Sequence, residues 1–420
     1  MRSTPTASKS GTALVIVAAA LGYFVDVYDI WLYSALRVPS LNAIGFTDAA
    51  QVKSVGEFLL NVQMGGFILG AVAFGMLADK KGRLAVLFGS ILLYSVANIA
   101  NGFAMNVPFY AACRFLAGMG LAGELGAGVA LVSELVPKES RGWATTLVAT
   151  CGVAGSVAAA MFAKVFHWQT GYWIGGGMGI ALLLLRIGVF ESGMFERVKD
   201  RSDVKRGEFL ALFRTKERAS RYLATILNGA PVWFFAAMFM TFAKELQAAL
   251  GVQNPISVPD AIMVGAIGLT VGDVVFGGLS QILKSRKKSF LIALALLTVG
   301  IASIFFTKDS NQFYWRMFIA GVGAGYWAVF VTTAGETFGT NLRGTVAITA
   351  PSFVRGMVIP LTLFRNAITP STSILGATAI TGVVVLVLAV WAVLRLPETY
   401  GRDLDFVETD DPVPSGASPA

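Results

Sequence analysis

The sequence predicts an all-α integral membrane protein: twelve transmembrane helices in two six-helix bundles. Three observations carry that expectation. Hydrophobic residues make up 55% of the 420 and charged residues only 14%, with a mean hydropathy of +0.68, where a soluble domain carries roughly 25% charge. The apolar runs last about 20 residues, enough at ~1.5 Å per residue to cross a hydrocarbon core ~30 Å thick. Finally, the second half of the chain repeats the punctuation of the first. Soluble enzymes, nucleic-acid binders and secreted disulfide scaffolds are excluded as leading readings.

Apolar runs bounded by charge or by Gly and Pro place the spans near 13–36, 55–78, 84–104, 107–134, 142–164 and 172–190, then 221–243, 261–283, 288–306, 311–335, 343–366 and 372–395. A polar tail over 1–12 runs into a stretch too long for a cleavable signal peptide, so the first span is expected to stay. Residues 13–190 then form the first bundle, 191–220 a charged cytosolic linker, 221–396 the second bundle and 397–420 a cytosolic tail. With the amino terminus inside, only Arg37, Lys53, Lys164, Lys244 and Lys308 of the 33 Lys and Arg fall on the outer side. That asymmetry is the positive-inside signature. It puts both termini in the cytosol, with a bacterial inner membrane as the expected location. The net charge of +8 is therefore a topology signal and not a nucleic-acid footprint. Cys113 and Cys151 lie in apolar runs and read as small buried hydrophobes. A single histidine, His167, leaves no His-rich metal site, and neither metal nor cofactor is expected.

The repeat is explicit at spans 4 and 10. The fourth span and its exit read Arg114-FLAGMGLAG and Glu134-LVPKES-Arg141-Gly142; the tenth reads Arg316-MFIAGVGAG and Glu336-TFGTNL-Arg343-Gly344. Arg114, Glu134, Arg141 and Gly142 each recur 202 residues later. Parallel repeats of this kind place a substrate path near the midplane, between the halves.

Between spans 2 and 3 stands Gly75-MLA-Asp79-Lys80-Lys81-Gly82-Arg83, and its second-half counterpart is Gly278-LSQILKS-Arg286-Lys287-Lys288, with Gln281 in place of the aspartate. The first loop resembles the signature of the major facilitator superfamily, with Leu84 where a second basic residue is common. Glu134-LVPKES-Arg141, Glu191-SGMF-Glu196 (Gly193 standing where proline is usual) and Leu396-Pro397-Glu398-Thr399-Tyr400-Gly401 resemble segments of its sugar-porter and metabolite–proton symporter branches. The resemblance covers about residues 13–405 and implies the major facilitator fold. A carboxylate gains from a helix N-terminus, and a carboxylate–arginine pair can lock one arrangement of sliding bundles. Gly75, Asp79, Gly82, Arg83, Glu134 and Arg141, with Glu336 paired to Arg343, are therefore expected to form a cytosolic gate; the alternative is topology signal on a solvated surface.

Charge at bilayer depth is costly and marks function. In the first span Asp26 and Asp29 share a face with Tyr23, Tyr33 and Arg37. Asp29 and Arg114 each lie about seven residues from an outer helix end, at about equal depth. They are expected to pair, and protonating the carboxylate would release the pair. The resemblance agrees, since sugar porters pair an aspartate of helix 1 with an arginine of helix 4. A static tie between the two helices is the competing reading. Glu124 interrupts the glycines 118, 120, 123, 126 and 128, which are expected to permit close packing; it is a second candidate for proton coupling or substrate contact. Asp273 is the acid at depth in the second half. Arg355 falls between Pro351 and Pro360, in a span expected to be kinked. It is the anchor proposed for a carboxylate or phosphate, unless it pairs with Asp273 or Glu124. Organic-anion members of the superfamily are known to use a basic residue in that helix. Trp233, beside the Pro231 kink of span 7, and Trp327 are candidate stacking surfaces. Arg186, Arg316 and Arg365 are expected to snorkel.

The resulting expectation is a secondary transporter, not an enzyme, that moves a small organic anion by proton symport through alternating access. Its partners are the small-molecule substrate, protons and the lipid bilayer, with no nucleic acid, and it is expected to be monomeric. A sugar–proton symporter and proton-antiport efflux of amphipathic compounds are the alternatives. The sugar reading suffers from the lack of paired glutamines in span 7 and of any amide in span 5.

Overall fold

The computed structural model describes residues 9–81, 83–135, 141–189, 209–402 and 406–408. Its first half is six helices: α1 (Lys9–Ala43), α2 (Ala49–Lys81), α3 (Arg83–Asn101), α4 (Val107–Leu135), α5 (Arg141–Val165) and α6 (Trp168–Val189). The second half has six spans as well, three of them broken. Span 7 is α7 (Lys216–Phe235), a π-helical segment (Ala236–Thr241) and α8 (Ala243–Leu250). Spans 8 and 9 are α9 (Val258–Ile282) and α10 (Arg286–Ile304). Span 10 is α11 (Ser310–Ala324) plus α12 (Trp327–Thr337), span 11 is α13 (Thr340–Gly356) plus α14 (Val358–Ile368), and span 12 is α15 (Ile374–Arg395). Among the described residues, eight helices meet both length and hydropathy requirements for crossing a membrane.

Most of the expected linker lies outside the described residues. Its last part differs from expectation: a 3-10 turn covers Phe209–Phe213 and α7 starts at Lys216, five residues early, because the Thr215 side chain accepts from the Arg218 amide and caps the helix. The irregularity of span 7 also differs. Pro231 sits inside continuous α7, and the distortion comes just after it, as a π-helical segment, a form that concentrates at functional sites. Span 11 breaks at Met357, between its two prolines, as expected.

Within each half, helices approach at small residues. A Cβ at Gly118 of α4 would lie 2.3 Å from the Gln63 carbonyl oxygen of α2, and one at Gly325 2.2 Å from the Leu269 carbonyl oxygen of α9, so glycine is required at both. The halves meet through α2 against α13 and α5 against α9, a pattern that maps onto itself when each span is moved on by six. The internal repeat is thus visible in the interface.

The end of the bundle where α1 begins and α15 ends is called here the tail end, and the opposite one the far end. At the tail end Glu398 crosses to the start of α10 and accepts from the Ser285 hydroxyl and from the amides of Arg286 (2.9 Å) and Lys287 (3.3 Å). Farther on, residues 406–408 lie along the α12–α13 turn. The Thr340 amide donates to the Phe406 carbonyl (2.8 Å), and the Glu408 carboxylate takes Arg221 at 2.9 Å. Burial acts to raise the Glu398 carboxyl, but hydrogen bonds from Ser285 and from the amides of Arg286, Tyr400 and Lys287 outweigh it and hold the group below its usual range. A lowered carboxyl contributes its stability above the ordinary value of about 4.3 and loses it as pH falls through the lowered one. A spin label at exposed Arg402, four residues beyond Glu398, should therefore stay immobile down to about pH 4 and become mobile below it, whereas in Glu398→Gln it should already be more mobile at neutral pH.

Candidate functional site

Helix α1 brings one stripe of polar side chains into the first bundle. At its far end Arg37, fully buried, reaches Glu245 at 2.6 Å. Two turns inward, Arg114 Nη2 of α4 stands 3.9 Å from Asp29 Oδ2, with Nη1 donating to Asn98 Oδ1 at 3.2 Å. The Arg114 guanidinium also lies over the rings of Tyr33 (5.2 Å) and Tyr172 (5.6 Å). Asp26 is 1% exposed, and neither of its oxygens has a hydrogen-bond partner among the described residues. One turn further, Glu124 of α4 pairs with Arg186 of α6 at 3.0 Å.

Arg355 sits in the last turn of α13, just before the break, and is 3% exposed. Its guanidinium lies 4.7 Å from the Phe67 ring of the opposite half and 5.5 Å from the Trp233 ring. It makes no ion pair among the described residues, and its Nε and Nη1 have no hydrogen-bond partner there. The charged or polar groups acting on it most are Asp26 and Tyr23. Tyr23 in turn faces Asp273, Arg355 and Asp26, its ring packed where a Cβ on Gly152 would stand. Tyr23, Asp26, Arg355 and Trp233 thus converge at the junction of the halves.

Several expectations need correction. Arg186 and Arg365 do not snorkel: each is 2% exposed, Arg186 on Glu124 and Arg365 on Glu57. Their partners come from distant parts of the chain, which no single span reveals. Tyr33 is buried, and its hydroxyl donates to the Gly56 carbonyl at 2.7 Å. Asp273 accepts from the Ala328 amide at 2.8 Å and so closes the open N-terminus of α12, where span 10 breaks. Trp327, at the start of α12, stacks on Phe330 with ring centroids 4.9 Å apart. Arg355 is not paired with Glu124 or Asp273. In the gate, Glu336 is held by Arg286 at 3.1 Å and by the Thr399 hydroxyl at 2.7 Å rather than by Arg343, whose Nε donates to the Gly335 carbonyl at 2.9 Å. Gly75 faces open space. Gly82 lies outside the described residues, as do the side chains of Asp79, Arg83, Glu134 and Arg141.

The sequence reading missed the far-end seam. Ser34 bonds Thr241 (2.9 Å), Arg37 bonds Glu245, Arg365 and Asn366 (2.7 Å) bond Glu57, Thr362 bonds Asn61 (3.0 Å), and Lys164 bonds Asp260. Each crosses from one half to the other. Phe242 lies beneath both Arg37 (4.4 Å) and Arg365 (5.7 Å). Just inside the seam, a cavity of only about 10 Å³ is lined by Ile30, Trp31, Ser34, Trp233, Thr241 and Val358. Glu57 and Glu245 each have a lysine close by in the sequence, Lys53 and Lys244, so nothing local pointed to partners in the other half.

The family model of the Major Facilitator Superfamily matches residues 19–359. This chain belongs to the Major Facilitator Superfamily. It is 28% identical over 362 residues to the 3-(3-hydroxy-phenyl)propionate transporter of Escherichia coli K12, covering 83% of this chain and 84% of that one. It is 25% identical over 416 residues to the gentisate transporter of Corynebacterium glutamicum, covering 92% and 89%. Among solved structures, the proton:xylose symporter XylE bound to 6-bromo-6-deoxy-D-glucose superposes with a TM-score of 0.69 at 16% identity, over 95% of this chain and 98% of that one. The twelve-span fold is therefore that of the superfamily. The chain is a multi-pass membrane transporter of small metabolites and not an enzyme.

Proposed function

We propose that this facilitator carries a small organic anion, with ring-bearing carboxylates favoured, together with protons across a bacterial inner membrane. Arg355 carries the reading. A buried cation without a counter-ion is strongly unfavourable, and a substrate carboxylate relieves it through charge-assisted, bidentate hydrogen bonds. Phe67 and Trp233 supply apolar ring surface beside that anchor. The names of the relatives support the same class, since gentisate and 3-(3-hydroxyphenyl)propionate are ring-bearing carboxylates. A hexose would need neutral donors and acceptors around it, and the junction offers a cation and aromatic rings.

Proton coupling is assigned to Asp26 and Asp29, with Arg114 and Glu124 as their charged neighbours; the Asp29–Arg114 contact ties α1 to α4. Transport proceeds by alternating access. With both termini cytosolic, the far-end seam faces outside, and its cross-half bonds support a state closed to the exterior. Gly75, Asp79, Gly82, Arg83, Glu134 and Arg141, with Glu336 and Arg343 in the second half, form the cytosolic gate. The carrier works as a monomer.

The test is uptake into proteoliposomes of labelled benzoate, gentisate, 3-(3-hydroxyphenyl)propionate, phosphate and glucose, with and without an inward proton gradient. Gradient-stimulated accumulation of an aromatic carboxylate is the expected result; stimulated uptake of glucose alone would overturn the substrate class.

A further inference from the structure

Three helices of the first bundle, α1, α4 and α6, bring charge to one buried point. Arg186 near the end of α6 and Glu124 of α4 are 2% and 3% exposed at their side chains and stand 3.0 Å apart. The pair rests directly on the backbone of α1: a Cβ at Gly22 would lie 2.1 Å from Arg186 Nη2 and 2.8 Å from Glu124 Oε1. No side chain larger than hydrogen fits there without moving the pair. Arg186 Nη2 also faces the Ala18 carbonyl at 3.5 Å. Four residues beyond Gly22, one turn along the same helix, is Asp26, buried and without a hydrogen bond among the described residues.

Two buried carboxylates that act on one another, as Glu124 does on Asp26, cannot both ionise without a nearby cation. Arg186 forms its ion pair with Glu124 and none with Asp26, and so favours the charge on Glu124. We propose that Arg186 is a positioning residue of the coupling site: paired with Glu124 on the backbone of Gly22, it keeps Glu124 a fixed anion and leaves Asp26 as the carboxylate that takes and gives up the transported proton. This rests on the proton-coupled reading above and adds to it a division of labour between the acids. Water on the open side supplies the proton to the Asp26 carboxylate and accepts it again after the halves have moved.

The other groups facing this point are few. α1 contributes Tyr23 and Asp29, the latter held by Arg114. α3 contributes Tyr94, which faces both Glu124 and Asp26, α13 contributes Arg355, and Asp273 of α9 acts on Tyr23. α5, packed along α1, brings the glycines 152 and 155 against Tyr23 and the α1 backbone. Glu124→Gln leaves the Arg186 cation unpaired beside Asp26, and Arg186→Gln frees Glu124 to compete with Asp26 for the proton, so the two variants must change the profile in different ways, whereas a merely structural pair would lower uptake without altering it.

The experiment measures the pH profile of gradient-driven uptake for the panel carboxylate that the unmodified carrier accumulates best. Glu124→Gln is expected to move the half-maximum to lower pH by about one unit or more, and Arg186→Gln to spread the profile over two steps as Glu124 and Asp26 share one proton. Arg186→Lys should bring the profile back toward that of the unmodified carrier, and so should the double variant Arg186→Gln/Glu124→Gln, in which both charges are gone. If Arg186→Gln does not reach the membrane, Arg186→Lys, Glu124→Gln and the double variant carry the comparison. An unmoved profile in Glu124→Gln, or a single unbroadened step in Arg186→Gln, overturns the role of Arg186 while the transport reading stands. Absence of proton-stimulated uptake in the unmodified carrier overturns that reading and this inference with it.

Discussion

The carrier with Arg355→Gln should bind its anion about 100-fold more weakly than the unmodified protein. Hydrogen bonds between ionised partners contribute ~1.5–3 kcal/mol each, and each 1.4 kcal/mol is tenfold in affinity. Loss of the bidentate interaction therefore corresponds to at least two decades. Arg355→Lys keeps the charge but not the planar fork, and should fall between the two. Quenching of tryptophan fluorescence is a direct readout, because Trp233 lies 5.5 Å from the guanidinium. Removing Arg355 also removes a buried cation without a counter-ion, so the variant should be no less stable to heat than the parent. Undiminished affinity in Arg355→Gln would dismiss the anchor.

The second large effect belongs to the far-end seam. Glu245→Gln strands Arg37, and Glu57→Gln strands Arg365, each as a buried cation without its counter-ion. Breaking a buried pair costs about 3–5 kcal/mol, but only while the seam is closed, because opening returns the stranded charge to water. Each substitution should therefore move the conformational balance toward the far-side-open state by roughly two to three decades. Ala237, 3% exposed beside the small cavity, reports on it as Ala237→Cys. Its labelling by a membrane-impermeant maleimide in right-side-out vesicles should be slow in the parent and at least ~100-fold faster with Glu245→Gln. Equal labelling rates would show that these ion pairs do not hold the seam.

What the sequence made legible follows from range. Spans are local properties, so apolar runs located all twelve, and prolines 351 and 360 located the break beside Arg355. The equal depth of Asp29 and Arg114 is also a local measurement, made twice and compared. The far-end seam could not be reached this way, because Glu57 and Arg365 are 308 residues apart and each looks like an ordinary charge near a helix end. Arg186 was misread for the same reason: its partner lies on α4, and its seat is the absence of a side chain at Gly22. That Asp273 is an acid at depth was legible; its backbone partner was not. Its bond to the Ala328 amide depends on a helix break at Gly325–Tyr326 that no proline announces. Pro231 announced an irregularity in span 7, but not that it would take the form of a π-helical segment ending at Thr241, where the seam begins.

The central claim is that anion and proton move together in one direction. It is tested most directly by loading proteoliposomes with a pH-sensitive dye, with equal pH on both sides, and adding gentisate or 3-(3-hydroxyphenyl)propionate outside. The account predicts acidification of the lumen, driven by the substrate gradient alone and abolished by Arg355→Gln. An unchanged lumen during measurable uptake would contradict proton coupling, and alkalinisation would mean that the two move in opposite directions.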